Sequence, residues 1–513
     1  MVSTMSVKII GYANTNESTK NKPCYIPLFL ERISAGFPSP AQDYVEQSLD
    51  LNELCIKQPT ATFFVRVEGD SMIEAGIHPG DILVVDRSIQ AEQGDIVIAS
   101  VHGEFTVKEL QLKPQLKLNP RNEQYSSITI GEGDELIMSL GIKMGVPVFQ
   151  IKAEMQRHGI LAFSSNYALY ADLSSRVMRT LEEMAPRVEV YSIDEAFLDL
   201  TGIESAISLV EFGQQVRERI GHWIGITVCV GIAPTKTLAK LANHAAKKYP
   251  ATQGVVDLTN PDRQRRLLAL VPVDDVWGVG RRLSKRLNAL GITTALDLAN
   301  ASPRAIRDQF SVVLERTVRE LNGESCIELE EIPPTKKQIV CSRSFGAKVT
   351  QFELLREAVC EYATRATEKL RKEQQQAKVM TVFIRTSPFK DNEPQYSNSA
   401  SGELLIPSCD TRDFIELANH LLKRIWKDGF RYAKAGVMLS DFYDPGMFQP
   451  GLFDDVSTRS NSQQLMSVLD TINQSGAGKV FFAGQGTKKD WSMKREHLSP
   501  AYTTRWDQLP RVK

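Results

Sequence analysis

Two adjacent carboxylates, Asp194 and Glu195, lie in Tyr191-Ser192-Ile193-Asp194-Glu195-Ala196-Phe197-Leu198-Asp199-Leu200. Set between apolar residues, such a pair is costly to bury unless a metal or a cation faces it. A two-metal site usually needs a further carboxylate from elsewhere in the chain. A second candidate is Ser71, in the glycine turn Glu68-Gly69-Asp70-Ser71-Met72, with Lys108 in Phe105-Thr106-Val107-Lys108. Serine is a weak nucleophile until a base takes its proton. A lysine serves as that base only where burial lowers its pKa enough to leave the amine neutral. Read alone, Gly-Asp-Ser is equally an ordinary turn, and Lys108 a solvated strand lysine. A third candidate is Val276-Trp277-Gly278-Val279-Gly280, followed by Arg281, Arg282, Lys285 and Arg286. Glycines there let backbone N–H groups approach a phosphate, and the cations add to its attraction. A plain glycine-capped helix turn is the alternative.

These residues need elements to hold them. Residues 62–67, 82–85, 95–101 and 104–110 are short runs of β-branched and aromatic residues bounded by Gly69, Gly80, Gly94 and Gly103, the pattern of an all-β module. From about residue 150 the pattern turns mixed. Helical spacing covers 167–184, with strands at 188–192 and 196–200 around the carboxylate pair. A helix at 206–220, a strand at 227–232 and a helix at 235–247 follow. That order is a ferredoxin-like split βαβ unit without its opening strand. Residues 328–337 run acidic, then Pro333-Pro334, then basic, which is linker composition. Beyond them a strand at 379–386 and amphipathic helices at 354–370 and 411–426 are expected. At 513 residues, with 42% hydrophobic and 24% charged content, the chain reads as about three or four globular domains. No apolar run is long enough for a membrane span. Seven scattered cysteines without a CxxC pair argue against disulfide and zinc frameworks and suit a reducing cytoplasm. The first 138 residues carry excess Asp and Glu, the remainder excess Lys and Arg. The basic back part is therefore the better candidate for a nucleic-acid partner.

The front part resembles a known family. Ala35-Gly36-Phe37-Pro38-Ser39-Pro40, Asp43-Tyr44-Val45-Glu46, Gly69-Asp70-Ser71-Met72, Gly94-Asp95-Ile96-Val97 and Thr106-Val107-Lys108 occur in order. Together they are similar to the UmuD branch of the LexA-like self-cleaving Ser-Lys peptidases, over about residues 25–138. The resemblance implies Ser71 as nucleophile, Lys108 as general base and Ala35–Gly36 as the scissile bond. It also implies cleavage promoted by a RecA filament, and a UmuD-type dimer partner. A signal peptidase would need a membrane anchor. A LexA-type repressor would need a helix-turn-helix ahead of the cleavage site, where Pro23 and Pro27 leave no room for one.

The back part, from about Leu140 to Lys513, resembles the UmuC branch of the Y-family translesion DNA polymerases. The motifs are Ser192-Ile193-Asp194-Glu195-Ala196-Phe197, Gly231-Ile232-Ala233-Pro234-Thr235-Lys236-Thr237-Leu238-Ala239-Lys240, and the hairpin at 276–280. The resemblance implies that Asp194 and Glu195 bind Mg²⁺ and that Lys240 contacts the nucleotide triphosphate. Gly278, Gly280, Arg281, Arg282 and Lys285 would hold damaged or primed DNA through a helix-hairpin-helix. Gln449-Pro450-Gly451-Leu452-Phe453 resembles a sliding-clamp-binding peptide, with Gln449, Leu452 and Phe453 as anchors.

By the same comparison, the opening palm strand with the first catalytic Asp, the aromatic steric gate and most of the fingers lack counterparts. The peptidase part loses its last strand. Glu135–Ile142 is a candidate surrogate strand for the palm, and Asp134 and Glu135 are weak replacement ligands. The expected architecture is multidomain: an all-β LexA/UmuD-like module, then an α+β Y-family polymerase. The segments are an N-terminal arm (1–34), the peptidase domain (35–138), partial fingers and palm (139–247), a helical thumb with the helix-hairpin-helix (248–330), a linker (331–340), an α/β little finger (341–440) and a tail with the clamp motif (441–513). Two functions stay open: an SOS-response mutagenesis enzyme joining a self-cleaving peptidase to an error-prone polymerase, or a DNA- and clamp-binding protein whose polymerase body is inactive.

Overall fold

The computed structural model describes residues 5–8, 25–29, 45–50, 56–101, 104–113, 117–129, 146, 148–332, 335–389, 393–448, 459–475 and 478–512. Ala35, Gly36, Gln449, Leu452, Phe453 and the junction at 130–145 lie outside them. The chain divides into two compact units. The first comprises residues 1–15, 21–333 and 498–513, and the second residues 16–20 and 334–497.

The first unit opens with a sheet built by β1 (Met5–Lys8), β4 (Thr62–Val67), β5 (Ile82–Asp86), β6 (Ile96–Val101), β7 (Glu104–Gln111), β8 (Lys117–Asn119) and β9 (Ile128–Thr129). The order is β18-β4-β5-β1-β6-β7-β8-β9, and β18 (Arg511–Val512) comes from the far end of the sequence. The alternation of β4 puts Val65 and Val67 inward. There they join Met72, Ile77, Leu83, Val85, Ile98 and Val107 in one apolar cluster. Separately, β2 (Tyr25–Phe29) and β3 (Val45–Asp50) form an antiparallel pair on either side of the stretch that contains Ala35–Gly36.

The palm-like region begins with α1 (Lys152–His158) and α2 (Tyr167–Glu182), the latter capped by the Asn166 side chain. Then come β10 (Arg187–Val190), β11 (Ala196–Asp199), α3 (Leu209–Trp223), β12 (Val230–Ile232), α4 (Lys236–Lys248) and β13 (Val255–Asp257). Helix α3 starts three residues later than its apolar spacing predicts, because the Ser208 hydroxyl accepts the Glu211 N–H and fixes the cap there. Hydrogen bonding divides the strands into two separate pairs. β10 and β11 are antiparallel, whereas β12 and β13 are parallel. Among the described residues no strand joins the two pairs. Beneath them Met178, Leu181, Phe212, Val216 and Ile220 form a shared core.

The thumb-like region consists of α5 (Pro261–Leu270), α6 (Arg281–Ala289), α7 (Ala295–Asn300), α8 (Pro303–Gln309) and α9 (Val312–Leu321). Its core includes Leu238 and Leu241 of α4, so α4 is packed into the thumb. The join is polar as well. The carboxylate of fully buried Glu320 accepts N–H bonds from Thr237, Cys326 and Ile327 at 2.7–3.2 Å. Such bonds compensate a buried charge.

The second unit alternates β14 (Gln338–Val349), α10 (Phe352–Lys372), β15 (Gln376–Thr386), β16 (Ser397–Ser408), α11 (Thr411–Ile425) and β17 (Tyr432–Tyr443). Its antiparallel sheet has the order β14-β17-β15-β16. Both helices pack on the sheet around Leu355, Val359, Tyr362, Phe414 and Leu421. Helix α12 (Ser462–Gln474) is tied back by a two-pronged pair between Arg371 and Asp470. No helix among the described residues is long and apolar enough to cross a membrane.

Candidate active sites and nucleic-acid interface

Ser71 follows β4 in a turn that several bonds hold in place. The Asn122 amide donates to Asp70 O at 3.1 Å, and the Arg121 N–H donates to Ser71 O at 2.9 Å. Met72 is sunk in the core and anchors the turn from below. Lys108 stands on β7, opposite Val97 of β6. Both side chains are buried, each 4% exposed. Lys108 Nζ lies 2.7 Å from Ser71 Oγ, 2.8 Å from Thr106 Oγ1 and 2.9 Å from Val107 O. Burial pushes the Lys108 amine down to about 8, because the charged form loses its hydration. With two donors directed at Thr106 and Val107, the neutral amine keeps a lone pair for the serine hydroxyl. Thr106, two residues before Lys108 on the same strand face, is a partner that sequence reasoning missed; the alternation of β7 signals it.

Asp194 and Glu195 occupy the turn between β10 and β11. Tyr191 and Ser192 N–H groups both bond to Glu195 O, at 3.1 and 3.0 Å. Asp194 is exposed, and its carboxylate accepts the Ser192 hydroxyl at 2.6 Å. Glu195 is paired instead with the Lys240 ammonium from α4. That ammonium also sits over three rings: Tyr191 at 4.8 Å, Trp277 at 5.6 Å and Phe197 at 6.0 Å. The rings pack on one another with centroids 5.6–6.0 Å apart. An aromatic box of this kind adds quadrupole attraction to the charge pairing. One turn earlier on α4, Lys236 is paired with Glu189 of β10, which also accepts the Glu330 N–H at 2.8 Å. Sequence reasoning missed Glu189, Lys236 and the box. The four-residue spacing of the two lysines, one turn of helix, was the available signal.

Mg²⁺ demands near-octahedral oxygen coordination. Here the donors are Asp194 and a Glu195 already neutralised by Lys240. No cluster of three or more His, Cys, Asp or Glu able to hold a metal exists among the described residues. Asp194 and Glu195 are thus two carboxylates that could face Mg²⁺, one of them already paired with Lys240. Both carboxylates line a cleft of about 750 Å³, which runs between Ala196–Asp199 and Val230–Ile232, the facing strands of the two separate pairs.

In the thumb, Gly278 adopts the left-handed φ of +88° that the hairpin requires. Gly280 precedes α6 without any side-chain cap, leaving the first-turn amides to an outside acceptor. Gly278, Gly280, Arg281, Arg282 and Lys285 are all exposed. Arg286 is exposed too, but its guanidinium bonds to Gln309 O at 2.7 Å and stacks on Phe310. The clamp-peptide residues Gln449, Leu452 and Phe453, and the scissile pair Ala35–Gly36, lie outside the described residues.

Fold and sites together define a class: a β-module with a buried serine–lysine pair, joined to the palm, thumb and little-finger plan of Y-family DNA polymerases. Family models match in the same order. They are Peptidase S24-like at residues 27–142, impB/mucB/samB family at 135–244, the IMS family HHH motif at 261–292, the impB/mucB/samB family C-terminal domain at 336–452, and a domain of unknown function at 463–512. Protein UmuC of Salmonella typhimurium strain LT2 is 60% identical over 376 residues, covering 73% of this chain and 89% of its own. Protein ImpB of Salmonella typhimurium is 52% identical over 420 residues, covering 80% and 98%. Protein SamA of strain LT2 is 61% identical over 102 residues, covering 20% and 73%. Among solved structures, a Y-family DNA polymerase Dbh–Dpo4 chimera matches 77% of this chain and 95% of its own, at 18% identity and a TM-score of 0.48. The chain belongs to the impB/mucB/samB family of SOS-mutagenesis polymerase relatives, fused in frame to a UmuD-like S24 peptidase segment.

Proposed function

We propose that this chain is a self-cleaving Ser-Lys peptidase joined to a DNA-holding polymerase body, and that it is cut between Ala35 and Gly36. The observation that carries the reading is the 2.7 Å separation of Lys108 Nζ and Ser71 Oγ in a buried site. The neutral Lys108 amine takes the Ser71 proton as Oγ attacks the Ala35 carbonyl carbon. The amine returns that proton to the Gly36 nitrogen as the C–N bond breaks. Water, deprotonated by the same amine, then hydrolyses the Ala35 ester and frees Ser71. A RecA filament on single-stranded DNA is the proposed promoter of the reaction, and a UmuD-type dimer partner and the sliding clamp are proposed associates. Incubating the full chain with that filament tests the reading. A fragment beginning at Gly36 is expected, and none from Ser71→Ala or Lys108→Ala. No fragment from the unaltered chain, or cleavage surviving Ser71→Ala, would overturn it.

A second reading concerns the polymerase body, which we propose holds primed DNA without extending it. The Lys240–Glu195 pair, and two strand pairs that no strand joins among the described residues, favour this. Arg281, Arg282 and Lys285 beside the uncapped end of α6 supply the phosphate contacts.

A further inference from the structure

The end of the chain lies against the peptidase site. β18 runs parallel to β4, with Arg511 opposite Arg66 and Val512 opposite Val67. The Arg66 N–H donates to Pro510 O at 2.9 Å, and the Glu68 N–H donates to Val512 O at 2.8 Å. The Arg511 guanidinium meets the Glu68 carboxylate at 2.6 Å. Val512 is fully buried, in the cluster that holds Val65, Val67, Met72 and Val107. The approach is also pinned: Asn166 donates to Ser499 O at 2.9 Å, and Trp506 packs on Phe64 with ring centroids 5.3 Å apart.

The direction of this strand matters. Parallel pairing carries the tail along β4 toward Ser71, and it reaches the level of Glu68. β18 also touches β7, the strand that bears Lys108. The tail thus fills the seam between the strand leading to the nucleophile and the strand carrying the base. Its Val512 side chain shares a pocket with Met72, the residue next to Ser71. An extended segment that delivers a carbonyl to Ser71 along β4 would need the same Arg66 and Glu68 amides, since an edge strand offers one set of backbone partners.

We propose that the β4 edge is a peptide-docking groove whose resident occupant is the chain's own C-terminal segment Pro510–Val512, and that this segment competes with the cleavage segment for it. The proposal rests on the peptidase reading above. The tail holds the site closed, and cleavage requires it to leave.

Two readouts separate docking from cleavage. In full chains carrying Ser71→Ala, amide hydrogen exchange is followed across residues 62–69. Val512→Asp, and independently the milder surface change Arg511→Glu, are expected to speed exchange there. A synthetic peptide of residues 506–513 added to the Val512→Asp chain is expected to restore protection. In chains with Ser71 intact, both substitutions are expected to raise the filament-stimulated rate of cleavage severalfold, and the peptide to lower it again. Unchanged exchange in both variants overturns the docking. Faster exchange with an unchanged or lower cleavage rate in both variants means that β18 only stabilises the sheet, and overturns the competition. If no form cleaves, the peptidase reading fails and takes the competition with it, while the exchange result still reports the docking.

Discussion

Lys108 and Lys240 show how one residue type is put to two uses by its surroundings. Lys108 has hydroxyl and carbonyl oxygens for neighbours and is held at about 8 by burial. The form that accepts the Ser71 proton is the neutral amine, so its fraction grows with pH. Self-cleavage by the full chain is therefore expected to rise about tenfold per pH unit below 8 and to level off above it; a flat profile from pH 6 to 10 would contradict this role. Lys108→Arg keeps the positive charge but cannot give up a proton near neutrality, so it should be as inactive as Lys108→Ala. Lys240, by contrast, is paired with the Glu195 carboxylate and lies over three rings. Lys236 and Glu189 form a third arrangement, with each side chain only 9% exposed. Removing one partner of a buried pair leaves the other charge unmatched. Lys236→Met is expected to lower stability by roughly 3 kcal/mol, and the double change with Glu189→Leu to recover most of it, as read from urea unfolding midpoints.

At the scale of elements, legibility in the sequence depended on whether a pattern was local. Strands such as Thr62–Val67 and Ile96–Val101 and helices such as Tyr167–Glu182 carry their own periodicity, and the motifs around Ser71, Lys108, Asp194 and Gly278 sit on them as expected. The Lys240 box is not legible, because its walls come from Tyr191 beside β10, Phe197 within β11 and Trp277 of a thumb turn, brought together only by packing. β18 was not legible either, since two residues cannot show a period and their partner strand lies near the other end of the chain. Helix α6 directly follows the glycine hairpin, as the sequence pattern predicts. Its first turn lacks a side-chain cap and Arg281, Arg282 and Lys285 are exposed, the features behind the sequence-independent phosphate site proposed above. Arg281→Ala and Lys285→Ala should each weaken binding to primed DNA of any sequence. Each should also reduce the slope of log affinity against log salt by about 1. Arg286→Ala, whose guanidinium is committed to Gln309 and Phe310, should leave the slope unchanged and lower thermal stability.

For the molecule as a whole, the decisive feature is the cleft between β11 and β12. In a split βαβ sheet the strands bury a common face and pass hydrogen bonds from one to the next. Here β10–β11 and β12–β13 hold their internal ladders, and among the described residues no strand joins them; they share the core of α2 and α3 beneath them. Among the carboxylates that line that cleft, Asp194 is exposed and bonded to Ser192, Glu195 is matched by a lysine, and Asp199 pairs with Arg187. A phosphoryl-transfer centre must fix the positions of its charges before the reaction begins. With Glu195 committed to Lys240 and no group of three or more His, Cys, Asp or Glu able to hold a metal among the described residues, we propose that this requirement is not met. The basic residues of the thumb turn are not among those lining the cleft, and they stand on a core built from α4 to α9. DNA binding and DNA synthesis should therefore come apart in this chain. In a gel-shift titration with primed template, the full chain is expected to bind with strong salt dependence. In a primer-extension assay with Mg²⁺ and all four deoxynucleotides, it is expected to add none. Asp194→Ala should leave both results as they were. Extension that disappears in Asp194→Ala would show that the pair at 194–195 acts with an acid from elsewhere and that the cleft closes into a working palm.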